Sequence, residues 1–444
     1  MTDPLPILPF NTAVNGSVEL PGSKSLTNRA LILAALAEGT TTLTGVLFSR
    51  DTRIMLKALG ELGLQITVDE TAKKVVVVGS GGKWSTHSAD FNIGNAGTAA
   101  RFLTSFLALH PWAKYRLDGD APMRKRPMKE LLDVLRAQGA EIIFGDEPGH
   151  FPFRLKTRGL SGGPAQIDSS ASSQFVSSLL LASPYGKAPL QLAVEGMRPA
   201  FVKITTEMMA QFGVEVSQDS AGRLIVPTGT GYRSPGVYAI EPDVTAASYF
   251  LALPIVTGGQ IQLPGLQPEM LQGDVAFAEV MQRLGATITK SAEQWTVRAA
   301  SENRAGLNEN FETFSDTFLT LAALSPLLDT PTYIEGIAHT RKQETDRVAA
   351  MAKELLKLGC EVIEKEDSLH ITPDRNRLLA AAQQGVEIET YEDHRFAMSF
   401  GILGCADLLG AQTPWLKIHD PLCCKKTFPD FFDKLQALHT ASHA

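Results

Sequence analysis

The sequence predicts a mixed α/β protein of two domains, each built from three repeated units. Two recurrences carry that reading. A helix that ends in glycine returns at a constant long period, and a second, apolar helix returns at the same period. Size agrees with both, because a sixth of the 444-residue chain is 74 residues.

The glycine-ended helices come first. "MLKALGELGLQI" stops at Gly63, "LLDVLRAQGAEI" at Gly139, "EMMAQFGVEV" at Gly213, "VMQRLGATI" at Gly285 and "MAKELLKLGCEV" at Gly359, with separations of 76, 74, 72 and 74 residues. Glycine tolerates the left-handed conformation that closes a helix, and the residues after each one read as a strand. These helices are amphipathic and are expected to face solvent. "TFPDFFDKLQALH" is a weaker sixth copy.

The apolar series lies between them: "KSLTNRALILAALA" from Lys24, "NAGTAARFLTSFLAL" from Asn95, "SSQFVSSLLLAS" from Ser172, "TAASYFLALPIV" from Thr245, "DTFLTLAALSPLL" from Asp316 and "DHRFAMSFGILGCADLL" from Asp393. Apolar residues cover most of their faces, so these helices are expected to be buried. Short β-patterns such as "TTTLTGV", "KKVVVVG" and "PTYIEGI" supply the strands. The Gly/Pro-rich stretch Thr228–Gly236, near the midpoint, is the expected break between domains.

Composition narrows the class. Hydrophobic residues are 44% and charged residues 20%, which suits a folded chain rather than a disordered one. The net charge of −7 argues against a broad nucleic-acid surface. Leu31–Ala37, the longest apolar run in the first helix pattern, falls far short of the roughly 20 residues of a membrane span. With Pro4 and Pro6 near the start and no basic segment there, no secretory or transit peptide is expected. Cys360, Cys405, Cys423 and Cys424 are few, and two are adjacent, which points to a reducing cytoplasm.

The chemistry gathers at the helix starts. A buried helix leaves N–H groups without partners at its N-terminus and carries about half a positive charge there. Five of the six starts add functional side chains: Lys24, Ser25 and Arg29; Asn95, Gly97, Thr98 and Arg101; Ser172, Ser173 and Gln174; Asp316; and Asp393, His394 and Arg395. Helix capping explains the serines and acids. It does not explain Arg29, Arg101 and Arg395, and an anion is the simplest partner for each. Three equivalent loops add cations: "MRKRPM" with Arg126, "TRKQETDR" with Arg347 and "CCKKTFPD" with Lys426. A small phosphorylated or carboxylated ligand is therefore expected. No complete phosphate loop, dinucleotide fingerprint, nucleophile elbow or metal-ligand set is present in the sequence.

"LPGSKSLTNRALILAALAEG", "GNAGTAARFL", "DSSASSQFVSSLLLA", "QETDR", "YEDHRFAM" and "KTFPDFF" together resemble the 5-enolpyruvylshikimate-3-phosphate synthase family, over about residues 10–436. The resemblance implies transfer of the enolpyruvyl group of phosphoenolpyruvate to the 5-hydroxyl of shikimate 3-phosphate, with release of phosphate. It implies two domains of three βαβαββ units each, with buried-helix N-termini facing an interdomain cleft. One domain would span 23–239 and bind mainly shikimate 3-phosphate. The other would span 1–22 plus 240–444 and contribute the phosphoenolpyruvate and proton-transfer residues. The resemblance also implies a cytoplasmic monomer without metal or organic cofactor, bound to no nucleic acid or membrane, that closes its domains on the substrates.

Residue by residue, the resemblance implies that Ser25, Arg29, Ser172, Ser173 and Gln174 hold shikimate 3-phosphate. Gly97, Arg126, Arg347, Arg395 and Lys426 would hold phosphoenolpyruvate, with Asn95 and Arg101 shaping that pocket. Lys24 would serve both substrates, and Asp316 and Glu344 would be the proton-transfer carboxylates. Arginine forks and lysines suit two polyanions. The reaction adds a hydroxyl across an enol double bond and then eliminates phosphate. Asp316 is assigned to the hydroxyl proton, and Glu344 with Lys24 to the methylene proton.

Some positions depart from the family pattern. Gln343 stands where lysine is frequent and His339 where asparagine is frequent. "MRPAF" replaces a segment with serine and tyrosine, and Arg198 is the expected substitute there. Ala100 and Phe102 replace a common methionine and proline, while Gly97 keeps the expected contact for glyphosate. The alternatives are a UDP-N-acetylglucosamine enolpyruvyl transferase, which typically carries a cysteine that His110–Met128 lacks, an RNA 3′-phosphate cyclase, or a non-catalytic anion binder.

Overall fold

The computed structural model describes residues 3–299, 304–410 and 412–443. The chain forms two compact units, Gly22–Glu241, and Met1–Pro21 together with Pro242–Ala444. The stretch Thr228–Gly236 is not the break between them. It lies inside the first unit, where Tyr232 is fully buried and its hydroxyl donates to Leu181 O at 2.9 Å.

Each unit holds three small sheets around three apolar helices. In the first unit, Ser88–Asn92 runs parallel to Ala113–Asp118, which pairs antiparallel with Phe153–Thr157, and that strand with Glu141–Phe144. The same parallel pair followed by an antiparallel hairpin recurs in the sheet of Val237–Ala239, Thr40–Thr44, Lys74–Val78 and Gln65–Asp69. It recurs again where Gly163–Asp168 meets Leu190–Glu195. In the second unit Val14–Ser17 supplies the outer strand beside Gly259–Pro264, and Asn308–Asn310 does so beside Thr332–Glu335. The third sheet there has three strands, ordered Leu5–Pro6, Leu416–Ile418, Val386–Ile388. Parallel neighbours need a crossover, and an apolar helix supplies it in four of the six pairs; Val237–Ala239 and Val14–Ser17 reach their partners from distant parts of the chain.

Those helices are Lys24–Leu36, Gly97–Ala108 and Ser173–Ala182 in the first unit. In the second they are Val244–Thr257, Phe318–Leu324 and His394–Leu403. Every residue of Gly97–Ala108 and of His394–Leu403 is buried, as the apolar faces require. Within each unit the three helices pack on one another and form the centre of the core. The amphipathic helices, such as Arg50–Glu61, Lys129–Ala137 and Arg347–Lys357, bury one face only. The five glycines that follow this series have φ between 81° and 109°, a conformation that a side chain would strain.

Candidate active site

Carboxylates and cations interlock in the second unit. Arg347 is the first residue of Arg347–Lys357, whose N-cap Asp346 accepts from Ala349 N at 3.0 Å. Arg347 is 1% exposed, and its guanidinium faces three carboxylates. Nε donates to Asp393 Oδ2 at 2.7 Å, Nη1 to Asp316 Oδ1 at 3.0 Å and Nη2 to Glu344 Oε2 at 2.9 Å. Nη1 also donates to Gln343 Oε1. The other oxygen of each outer acid is taken by a separate cation. Arg395 Nη2 donates to Asp316 Oδ2 at 2.6 Å, and Lys426 Nζ to Glu344 Oε1 at 2.5 Å. Burial works against the charge of Arg395, but Asp316 and its neighbours outweigh it and raise its pKa. Arg347 is raised in the same way against burial, by Asp393 and Glu344.

Local structure explains these positions. Asp316 sits in the tight turn Ser315–Thr317 that leads into Phe318–Leu324, and Ser315 Oγ lies 2.7 Å from His339 Nε2. His339 therefore braces the Asp316 turn, which is what the residue found here in place of asparagine does. Asp393 caps His394–Leu403 by accepting from Arg395 N at 3.0 Å while it binds Arg347, so one carboxylate orients both arginines. The two residues before it, Tyr391 and Glu392, have φ of 56° and 58°. Left-handed backbone costs a non-glycine residue roughly 1–2 kcal/mol, so this turn holds strain beside the cluster.

Behind Asp316 lies a further acid. Asp274, in the turn Gly273–Ala276, is buried and its Oδ1 has no hydrogen-bond partner. Burial, then the nearby charge of Asp316, pushes its carboxyl up to about 7.

In the first unit the predicted residues form a second cluster. Gly97–Ala108 starts without a side-chain cap, and a Cβ on Gly97 would meet Arg101 Nη1 and Arg126 Nη1 at 2.6 Å each. Two guanidinium groups thus converge on an uncapped helix start. Asn95 Oδ1 and Arg126 Nε are buried there without hydrogen-bond partners. Gln174 links this start to the next helix: its Oε1 accepts from Arg101 Nη1 at 3.0 Å, and its Nε2 donates to Thr98 Oγ1 at 3.1 Å. Ser172 caps that helix by accepting from Gln174 N, and Ser173 is buried beside it. Lys24 Nζ lies 3.8 Å from Asp51 Oδ2, and Ser25 is half-buried next to it.

The apolar-helix arginines have partners within the protein. Arg29 binds neutral groups: Nε donates to Thr205 Oγ1 at 2.8 Å, Nη1 to Ser25 O at 3.0 Å and Nη2 to Ser177 Oγ at 3.2 Å. It also sits 5.2 Å from the Phe102 ring, and burial pushes its pKa down to about 9. Arg101 donates to Gly97 O, Gln174 and Pro127 O. Backbone carbonyls and hydroxyls therefore satisfy much of what sequence reasoning reserved for an anion. For Arg395 the anion is a protein carboxylate. Arg198, where serine and tyrosine are missing, donates to Ser170 O at 3.1 Å.

The three basic loops behave alike. In each, at least one cation turns inward and at least one stays outside, and the "TRKQETDR" loop half-buries Arg341 as well. Arg126 is half-buried while Arg124 binds Asp118 at the surface; Lys426 is half-buried while Lys425 is exposed. Arg347 is buried while Lys342 is exposed. Sequence reasoning missed Asp393 as an arginine anchor, although it directly precedes "HR". It also missed Asp274, whose neighbours Asp243, Asp316 and Arg395 come from other segments. Among the described residues no group of acids, histidines and cysteines could hold a metal ion, and no helix is long and apolar enough to cross a membrane.

The model for EPSP synthase (3-phosphoshikimate 1-carboxyvinyltransferase) matches residues 10–435. The chain belongs to the EPSP synthase family. It is 50% identical to the 3-phosphoshikimate 1-carboxyvinyltransferase of Opitutus terrae over 448 residues, covering 100% of this chain and 99% of that one. It is 40% identical to the enzyme of the same name from Burkholderia orbicola, covering 99% and 100%. The solved structure of EPSP synthase from Acinetobacter baumannii matches with a TM-score of 0.80 at 25% identity, over 98% of both chains. The mixed α/β, two-domain fold is thus that of EPSP synthases, and both residue clusters lie within the matched segment.

Proposed function

We infer that this chain transfers the enolpyruvyl group of phosphoenolpyruvate to the 5-hydroxyl of shikimate 3-phosphate and releases phosphate, as its family does. The observation that carries the mechanism is the pairing of each outer carboxylate. Asp316 is shared between Arg347 and Arg395, and Glu344 between Arg347 and Lys426. The cations suited to a phosphate and a carboxylate are thus occupied by the acids suited to move protons. An anionic substrate that takes these donors frees the carboxylate oxygens to accept protons.

In this reading Arg347, Arg395 and Lys426 bind phosphoenolpyruvate together with Gly97 and Arg126, while Asn95 and Arg101 shape the pocket. Ser25, Arg29, Ser172, Ser173 and Gln174 hold shikimate 3-phosphate, with Arg29 acting from its buried position. Lys24 serves both substrates. Asp316 takes the proton of the attacking hydroxyl. Glu344, with Lys24, delivers a proton to the methylene carbon and recovers one in the elimination. The first unit is the shikimate 3-phosphate domain and the second the phosphoenolpyruvate and proton-transfer domain. The chain works as a cytoplasmic monomer without a cofactor. Phosphate release from phosphoenolpyruvate, measured with shikimate 3-phosphate, with UDP-N-acetylglucosamine and with neither, tests the reaction. Release is expected only with the first, and release supported by the sugar nucleotide would overturn the acceptor.

A further inference from the structure

Glu354 is wholly buried, yet it lies away from the cluster, two turns along the helix that begins with Arg347. Its carboxylate has three partners. Oε1 accepts from Tyr391 Oη at 2.5 Å, and Oε2 accepts from Glu389 N at 3.1 Å and from Lys357 Nζ at 2.6 Å. Lys357 also donates to Glu387 O at 3.0 Å. Arg347, at the start of the same helix, grips Asp393. One rigid helix therefore holds a single short segment at two points, Glu389 to Tyr391 and Asp393.

The held segment contains the two left-handed residues, Tyr391 and Glu392, neither of them glycine. Such backbone persists only where its surroundings over-determine it. Relaxed to ordinary φ, the turn would rotate Asp393 away from Arg347 and tilt the start of His394–Leu403, which aims Arg395. The Tyr391 ring adds packing, 5.5 Å from the Phe396 ring. Burial, together with the hydrogen bond to Glu354, also raises the Tyr391 pKa, which keeps its hydroxyl a donor.

We propose that Glu354 is a positioning residue: through Tyr391 and the Glu389 amide it holds the left-handed turn that presents Asp393 and Arg395. The proposal rests on the reading that Arg347 and Arg395 bind phosphoenolpyruvate. Its test is a rescue series read by steady-state kinetics and thermal melting. Glu354→Ala is expected to raise KM for phosphoenolpyruvate about tenfold, with a much smaller change in KM for shikimate 3-phosphate. Adding Glu392→Gly restores most of the loss, because glycine adopts the left-handed conformation without penalty. Adding Glu392→Ala does not, because its Cβ retains the penalty. If the Ala variant does not fold, Glu354→Gln and Tyr391→Phe carry the same comparison with smaller shifts.

A lowered melting temperature with both KM values unchanged would overturn the proposal. So would equal rescue by Gly and Ala. Arg347→Ala separates the two levels. If it leaves KM for phosphoenolpyruvate unchanged, the site reading fails. If it raises KM and the Glu354 series does not, only the positioning role fails.

Discussion

Asp316 and Glu344 share one guanidinium, yet their surroundings differ. Asp316 has an arginine on each oxygen, whereas Glu344 has Arg347 on one and the more flexible Lys426 on the other. The acid held by a lysine is the easier one to reorient, which suits transfer to carbon. Glu344→Gln in solvent deuterium is expected to abolish exchange at the methylene of phosphoenolpyruvate, while Asp316→Asn lowers turnover and retains some exchange. Full exchange in Glu344→Gln would falsify this division of labour. Asp274 gives a stability prediction. Its carboxyl ordinarily titrates at 3.8 and is pushed up to about 7 by burial and Asp316. The folded state thus binds the extra proton between those values, and stability is lost as pH rises through about 7. Asp274→Asn should melt higher than the natural chain at pH 8, with the gap closing towards pH 4; thermal melts across that range check it.

Helix starts organise both clusters, but they are finished differently. His394–Leu403 is capped by Asp393, whereas Gly97–Ala108 has no side-chain cap and is crowded by Arg101 and Arg126. An uncapped, buried helix start beside two guanidinium groups favours an anion. Gly97→Ala would place a methyl group 2.6 Å from both guanidinium groups, whose flexible ends can move aside. The variant is expected to fold with nearly the same melting temperature and to show a KM for phosphoenolpyruvate several-fold higher. Glyphosate should inhibit the natural chain through the same residues and inhibit the variant less. Inhibition curves of the two proteins decide this, and an unaffected natural chain would remove Gly97 from the glyphosate contact.

At the scale of the molecule, each unit carries its own core of three apolar helices and three sheets. Ligands that bind only the folded state stabilise it by mass action, roughly 2.7 kcal/mol at a hundred times Kd. Shikimate 3-phosphate alone should therefore raise the melting temperature, and phosphoenolpyruvate should add to it. Calorimetry with Arg347→Ala separates the two, since this variant should keep the first increment and lose the second. Loss of the first increment would mean that Arg347 serves the other substrate.

Much of this was legible in the residue order. The helix periodicity, the glycines that end the amphipathic series and the burial of the apolar series follow from local pattern. Arg126, Arg347 and Lys426 stood out because equivalent loops repeated a basic residue. What residue order could not show was which groups satisfy each charge. Arg29 and Arg101 looked short of an anion because Thr205, Ser177, Gln174 and the carbonyl of Pro127 reach them from other segments. Asp393 read as a cap and proved an anchor as well. Glu354 finds its partners only because the fold brings Tyr391 and the Glu389 amide to it. Periodicity, capping and composition are properties of neighbours along the chain, so the sequence by itself determined the elements and the family. Partnership among buried charges depends on residues tens to hundreds of positions apart. Only the tertiary structure decided it, because removing a charge from water is tolerable only where distant parts of the chain supply the missing bonds.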